Sequence, residues 1–109
     1  MWNRNKFRAI RTEIDGISFA SKKEAKRYVE LKLLEKNKQI CELELQPKFP
    51  MIINGIKVCN YIADFKYKKI VAGKLTLVIE DTKGVKTDVF KLKAKLFKAC
   101  YPELTLTIS

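Results

Sequence analysis

The chain has 109 residues, 47% of them apolar, which is enough for one small domain with a single core and is unlike the composition of a disordered protein. Lys and Arg number 23 against 12 acids, and the net charge of +11 favours a polyanionic partner, nucleic acid ahead of an anionic membrane surface. The chain contains no histidine, which excludes Ser-His and Cys-His nucleophilic catalysis and histidine zinc sites, and leaves carboxylates and lysines to carry any chemistry.

The first ten residues predict a basic arm that contacts DNA through Arg4, Lys6 and Arg8. No apolar segment follows this arm, so a secretory signal is not predicted. Apolar runs elsewhere in the chain are short, whereas a membrane span needs about 18 apolar residues. We therefore expect no membrane partner and a cytoplasmic location.

A short hairpin and a helix are predicted next. The Asp15-Gly16 pair favours a hairpin turn. Ser21 and Glu24 form a capping box, which predicts a helix that continues to about Asn37. Glu24 also falls on the apolar arc of this helix. It is therefore either a cap alone or a cap that also supplies a third acid to a site.

Strand patterns fill the middle of the chain. The predicted elements are a strand over 40–49, a hairpin over 50–58 that turns at Asn54-Gly55, a strand over 61–67, a loop over 68–74 and an inner strand over 75–83. Thr87 or Asp88 is the expected cap of a last helix that ends near Cys100, and a strand over 104–108 follows. This order predicts an α/β fold with a central mixed β-sheet flanked by helices, in a single domain over residues 1–109.

The most apolar strand ends in the acids Glu80 and Asp81. Because side chains two apart on a strand point the same way, Asp81 shares a face with Lys83, and Glu80 points to the other side. Asp64 lies late in the preceding strand, so adjacent strands can bring it beside Asp81. Paired carboxylates suit Mg²⁺, with Mn²⁺ as a substitute, and Lys83 would either hold the attacking water or stabilise the charge that develops on a phosphate. The alternative is a strand that emerges into solvent with its acids in ion pairs.

The last helix has a predicted apolar face made of Val89, Leu92, Leu96, Ala99 and Cys100. Lys93 falls within the same arc, where it either extends past the core to solvent or reaches the site beside Asp81. Lys91 and Lys95 lie opposite this face and are either simply solvated or in contact with DNA phosphates.

Asp64, followed by Asp81-Thr82-Lys83, resembles the signature of the PD-(D/E)XK nuclease superfamily. Ala63 stands where the signature has proline, and Asp81 replaces the commoner glutamate, so every functional group is kept. The whole chain is also similar to a family of short phage and prophage proteins of unknown function, thought to be compact nucleases of the Holliday-junction-resolvase type. The matching stretches are DGISFASKKEAKRY, ELQPKF, YIADFKY, EDTKG and TDVFKLKAKLF.

The resemblance implies a restriction-endonuclease-like fold and a set of site residues. It would make Asp64 and Asp81 metal ligands, together with the backbone carbonyl of Thr82. Lys83 would be the catalytic lysine. A glutamate early in the first helix often joins such a site, and here that residue is Glu24.

Gln46, with the proline after it, is similar to a strand element of transposon end-cleaving members, in which the glutamine lies near the site and the DNA. The function implied is a Mg²⁺-dependent endonuclease that hydrolyses phosphodiester bonds of branched DNA in phage recombination or processing, as a homodimer in the host cytoplasm. The alternatives are a non-catalytic nucleic-acid-binding module, whose acids pair with lysines, and a recombination accessory protein that mainly binds another protein.

Overall fold

A computed structural model describes residues 12–83 and 86–108, so the predicted basic arm with Arg4, Lys6 and Arg8 lies outside the described residues. Within those ranges the chain forms a small α/β domain. In chain order its elements are β1 (Thr12–Ile14), β2 (Ile17–Phe19), α1 (Lys22–Lys36), β3 (Ile40–Leu45), β4 (Lys48–Ile53), β5 (Ile56–Ile62), β6 (Phe65–Val71), β7 (Lys74–Asp81), α2 (Asp88–Cys100) and β8 (Leu106–Ile108). No helix in these ranges is long and apolar enough to cross a membrane.

The central sheet has four strands in the order β3-β6-β7-β8, and β7 is an inner strand, as its apolar sequence predicts. Neighbours β3, β6 and β7 are antiparallel, whereas β8 runs parallel to β7, so the sheet is mixed. Helix α1 covers one face, where Leu31 and Phe65 share a buried cluster, and α2 covers the other, where Phe97 and Ile79 do so. The predicted fold class is confirmed, and the architecture is consistent with a restriction-endonuclease-like fold.

The strands predicted around Gln46 and Asp64 are each broken there. Gln46 takes a left-handed backbone conformation (φ 51°), and the proline after it has no N–H to donate to a sheet. Backbone hydrogen bonds join the two breaks, from Gln46 N to Asp64 O (2.9 Å) and from Ala63 N to Pro47 O (3.1 Å). Apolar alternation continues across both breaks, which is why the sequence pattern does not reveal them.

The β4–β5 hairpin leaves the central sheet at these breaks and packs against α2. Its turn is at Asn54-Gly55, as predicted. Met51 and Tyr61 are buried on its inner side and belong to the cluster around Phe97. The hairpin therefore brings the Tyr61 side chain next to Asp81, the last residue of β7.

The loop predicted over 68–74 is wrong, because β6 and β7 continue until they meet at a two-residue turn. Ala72 (φ 50°) and Gly73 (φ 78°) both take the left-handed conformation that such a hairpin turn requires. Alanine is uncommon in this conformation, so the pair lacks the strong signal that Asn-Gly gives.

Helix α2 begins at the predicted cap Thr87, but its predicted apolar face is only partly right: Leu96 and Cys100 pack against the buried cluster, and the other members do not. Val89 and Leu92 are 65% and 59% exposed, whereas Phe97 is buried and Phe90 is partly buried. The two phenylalanines are seven residues apart and so lie on one face of the helix. They take the inner position because aromatic rings bury more apolar area than Val or Leu.

Candidate active site

Asp64 and Asp81 meet at the end of β7. Phe65 pairs with Glu80 across β6 and β7, so the break before β6 puts Asp64 opposite Asp81. The Asp64 N–H donates to Asp81 Oδ1 (2.9 Å) and to the Glu80 carbonyl oxygen (3.1 Å). The two acids therefore lie side by side, as predicted, although Asp64 is in the break and not within a strand.

Thr82 and Tyr61 donate hydrogen bonds to the two carboxylates. The N–H and the Oγ1 hydroxyl of Thr82 both donate to Asp64 Oδ2, at 2.7 and 2.9 Å. Thr82 thus contacts Asp64 through its N–H and its hydroxyl, and the expected role of its carbonyl as a metal ligand stays a prediction. The buried Tyr61 hydroxyl donates to Asp81 Oδ2. Sequence reasoning missed Tyr61, and the available signal was a tyrosine in a buried strand, whose hydroxyl needs a partner.

Glu24 reaches the same place from the first turn of α1. Its side chain is buried, with 7% of the residue exposed, and its N–H donates to Ser21 Oγ (3.1 Å). Burial raises the pKa of the Glu24 carboxyl, and the negative charge of Asp64 raises it further, while Lys83 lowers it. Glu24 is therefore both part of the helix cap and an inward-facing acid.

Asp81 is fully buried and carries a raised pKa. Burial is the main cause; the hydrogen bond from Tyr61 opposes it, the charge of Asp64 adds to it, and Lys83 opposes it. The strand predicted over 75–83 is too long at its end, because β7 stops at Asp81, but Lys83 lies on the side of Asp81 as predicted, since both line one cleft. Lys83 lies just beyond the strand, with its Nζ 5.1 Å from the centroid of the Phe90 ring.

A cleft of about 250 Å³ opens beside Asp81. Lys83 and Lys93 both line it, and Lys93 is half-buried, so Lys93 lies on the side of α2 that faces the cleft. Asn60 also lines it, and the Asn60 Oδ1 atom is buried with no hydrogen-bond partner among the described residues. A buried acceptor of this kind marks a place where a bound ligand or water can donate. No sequence pattern singles out Asn60.

The acids are arranged to attract a cation. Glu24, Asp64 and Asp81 share the site with Lys83, and repulsion by Asp64 raises the pKa of the other two. The available donors are oxygens, which suit Mg²⁺ or Mn²⁺. Within the described ranges, no three His, Cys, Asp or Glu side chains already surround one point. A bound metal would therefore replace hydrogen bonds that Thr82 and other donors now make to the carboxylates.

Glu80, although adjacent to Asp81, belongs to the opposite face of the sheet. Its carboxylate accepts from Arg27 Nη2 (3.0 Å), from Arg27 Nε and from Tyr67 OH (2.8 Å). Burial and the hydrogen bond to Glu80 raise the pKa of Tyr67 to about 12. The predicted separation of the two acids is confirmed, and Glu80 is a structural link between α1 and β7.

The other predicted DNA-contacting residues lie in two places. Gln46 is next to Asp64 through its backbone and has an exposed side chain. Lys91 and Lys95 lie on the other side of α2 from Lys93, along a separate groove. Their proposed contacts with DNA stay a prediction.

A family model covers nearly the whole chain. It matches residues 4–109 and is described as a protein of unknown function (DUF1064). No match was found among curated proteins or among solved structures. The chain therefore belongs to the DUF1064 family.

Proposed function

We propose that the protein is a Mg²⁺-dependent DNA endonuclease of the PD-(D/E)XK type. The observation that carries this proposal is the convergence of Glu24, Asp64, Asp81 and Lys83 at one end of the central sheet. They come from α1, from the break before β6 and from the end of β7. Gathering three acids at a largely buried place destabilises a fold, so the cluster favours a functional reason.

Each member of the cluster has its own role in the proposed reaction. Glu24, Asp64, Asp81 and the carbonyl of Thr82 would hold the metal, for which Mn²⁺ can substitute. When bound, the metal supplies positive charge to the phosphate and lowers the pKa of water. Lys83 donates a hydrogen bond to the scissile phosphate and stabilises the negative charge that develops on it. Water attacks the phosphorus directly as one P–O ester bond of the DNA breaks; the water gives its proton to solvent and the leaving deoxyribose oxygen takes one from solvent, so no covalent intermediate with the protein forms.

The proposed substrate is DNA, and in particular branched DNA in phage recombination or processing. The net charge of +11 supports a polyanionic substrate. Lys93 lines the cleft beside Asp81 and Gln46 lies next to Asp64, so both are in position to contact phosphates that flank the scissile bond. The preference for branched DNA rests on the resemblance to Holliday-junction resolvases.

Two other functions compete with a nuclease: a non-catalytic nucleic-acid-binding module and a recombination accessory protein. In a binding module, acids would pair with basic side chains, as Glu80 pairs with Arg27. Burial and the charge of Asp64 outweigh the effect of Lys83, which lowers the pKa of Glu24 and of Asp81, so both pKa values are raised overall. Negative charge at this place repels phosphate unless a cation is present, so the cluster favours the nuclease.

We propose further that the nuclease acts as a homodimer, because resolving a junction requires two cuts. Exposed apolar side chains outside the cleft support this: Val58 on β5 is 54% exposed, and Leu92 on α2 is 59% exposed. Apolar surface of this kind is typical of an interface.

The nuclease proposal is tested by incubating the protein with linear, nicked, flapped and four-way DNA, in Mg²⁺, Mn²⁺ or EDTA. We expect cutting that requires metal and is lost in Asp81→Asn and Lys83→Ala while DNA binding persists. Glu13→Gln and Lys69→Ala, which change exposed residues that do not line the cleft, are the matched controls and should cut normally. Binding without cutting of any substrate in either metal would favour the non-catalytic module.

A further inference from the structure

A second groove lies on the other side of α2, between this helix and the C-terminal segment. Its volume is about 560 Å³, within the range of ligand-binding pockets. Its apolar walls include Ala94 on α2 and Leu104, Leu106 and Ile108 at the end of the chain. A ligand in this groove would bury apolar groups.

Lysines surround the same groove. Lys86, Lys91, Lys95 and Lys98 all line it, and no acid does. None of these four lysines forms an ion pair within residues 12–83 and 86–108. Three of them recur at helical spacing and form one stripe of α2. The ligand is therefore expected to be negatively charged as well as apolar.

The groove also runs along an open edge of the central sheet. Strand β8 is the outermost strand, and in the described part of the chain nothing pairs with its other edge. Leu106 and Ile108 line the groove, whereas Thr107 between them does not. An extended peptide that paired with β8 could place every second side chain in the groove.

We propose that this groove binds an extended acidic segment of a partner protein, in which aliphatic or aromatic residues alternate with Asp or Glu. A nucleic acid fits less well, because bases bind single-stranded sites by stacking on open aromatic faces. Phe97 is 1% exposed, and Lys83 lies over the Phe90 ring. The chain's own first eleven residues carry only basic charges, so the lysines would repel them. The proposal does not depend on the nuclease function.

The test uses the full chain and a fluorescein-labelled peptide, Asp-Leu-Asp-Phe-Asp-Leu, in fluorescence anisotropy. We expect saturable binding with a Kd on the order of 10 µM. Ala94→Phe, which fills the groove, and the pair Lys86→Glu with Lys98→Glu should each weaken binding about tenfold. The pair Lys69→Glu with Lys74→Glu makes the same change of net charge at the β6–β7 turn and should leave the Kd within about twofold.

Several results would overturn the proposal. One is no saturable binding at about millimolar peptide, and another is equal binding of a peptide with serine in place of Leu and Phe. Competition by single-stranded oligothymidylate that Ala94→Phe abolishes would assign the groove to nucleic acid. Self-association abolished by Ala94→Phe would assign it to a second copy of the chain. Circular dichroism checks the fold, and the surface lysine variants keep the test valid if Ala94→Phe does not fold.

Discussion

The negative charge of Asp64 makes the stability of the folded protein depend on the pH. Its negative charge raises the pKa of both Glu24 and Asp81, which burial already raises. The folded protein therefore binds protons at these two groups more tightly than the unfolded chain does. Stability is lost as the pH rises from the unfolded values, about 4, through the raised folded pKa values.

Asp64→Asn removes this charge and keeps an oxygen that can accept from Thr82. We expect the free energy of unfolding to rise by about 1 kcal/mol at about pH 8, with a smaller gain at about pH 4, because Glu24 and Asp81 then ionise with less repulsion. Urea denaturation across this pH range measures the effect. In the same samples Mg²⁺ should raise the melting temperature of the unchanged protein more than that of the variant. A gain that is equal at both pH values would contradict the repulsion.

At the residue scale, the sequence predicts which acids form the candidate site but not which residues contact those acids. Asp64, Asp81 and Glu24 stand out because a charged residue at the end of an apolar pattern is unusual. Tyr61 and Asn60 do not stand out, because their roles arise only when the β4–β5 hairpin folds back toward β7. The positions of the acids were therefore predictable, but the residues that contact them and line the cleft were not.

Helix α1 is attached to β7 by Arg27 and Glu80, and this pair yields a prediction at the element scale. Arg27→Ala would leave the Glu80 carboxylate buried without its charged partner, so we expect a loss of about 3 kcal/mol in the free energy of unfolding. Lys68→Ala breaks the exposed pair with Glu42 and should lose less than about 0.5 kcal/mol. Urea denaturation of both variants makes the comparison, and equal losses would contradict a structural role for Glu80.

Element boundaries were predictable where the signal is local. Ser21 and Thr87 accept from N–H groups three residues on, and Asn54-Gly55 makes its turn, because each depends only on adjacent residues. The break at Gln46 depends instead on hydrogen bonds to a segment some distance along the chain. Hydrogen bonds of this kind do not change the alternation of apolar and polar residues, so the sequence pattern does not predict the break.

For the whole molecule, the proposed dimer makes a prediction about oligomeric state. Leu92→Asp puts a charge into the exposed apolar surface of α2 and should convert dimer to monomer, because burying an unpaired carboxylate in an interface is costly. Leu33→Asp is the matched control, since Leu33 on α1 is 56% exposed and Leu92 is 59% exposed. Sedimentation velocity distinguishes the two states. An unchanged dimer in Leu92→Asp would place the interface elsewhere.

The whole arrangement was only partly predictable from sequence. The predicted order of strands and helices was sufficient for the α/β class, because the types of element in a chain decide which layers it can form. The groove beside Ala94 was not predictable, since it forms only where the end of the chain returns to run parallel to β7. A surface built from segments that are far apart in the sequence can be identified only from the folded structure.

The β4–β5 hairpin leaves the central sheet at Gln46 and returns at Asp64, and two backbone hydrogen bonds hold its ends together. A segment with fixed ends can gain length at its tip without changing the distance between those ends. Its tip at Asn54-Gly55 is exposed. This turn is therefore a natural insertion point, where an affinity tag or a whole added domain could be accommodated while the acids keep their geometry.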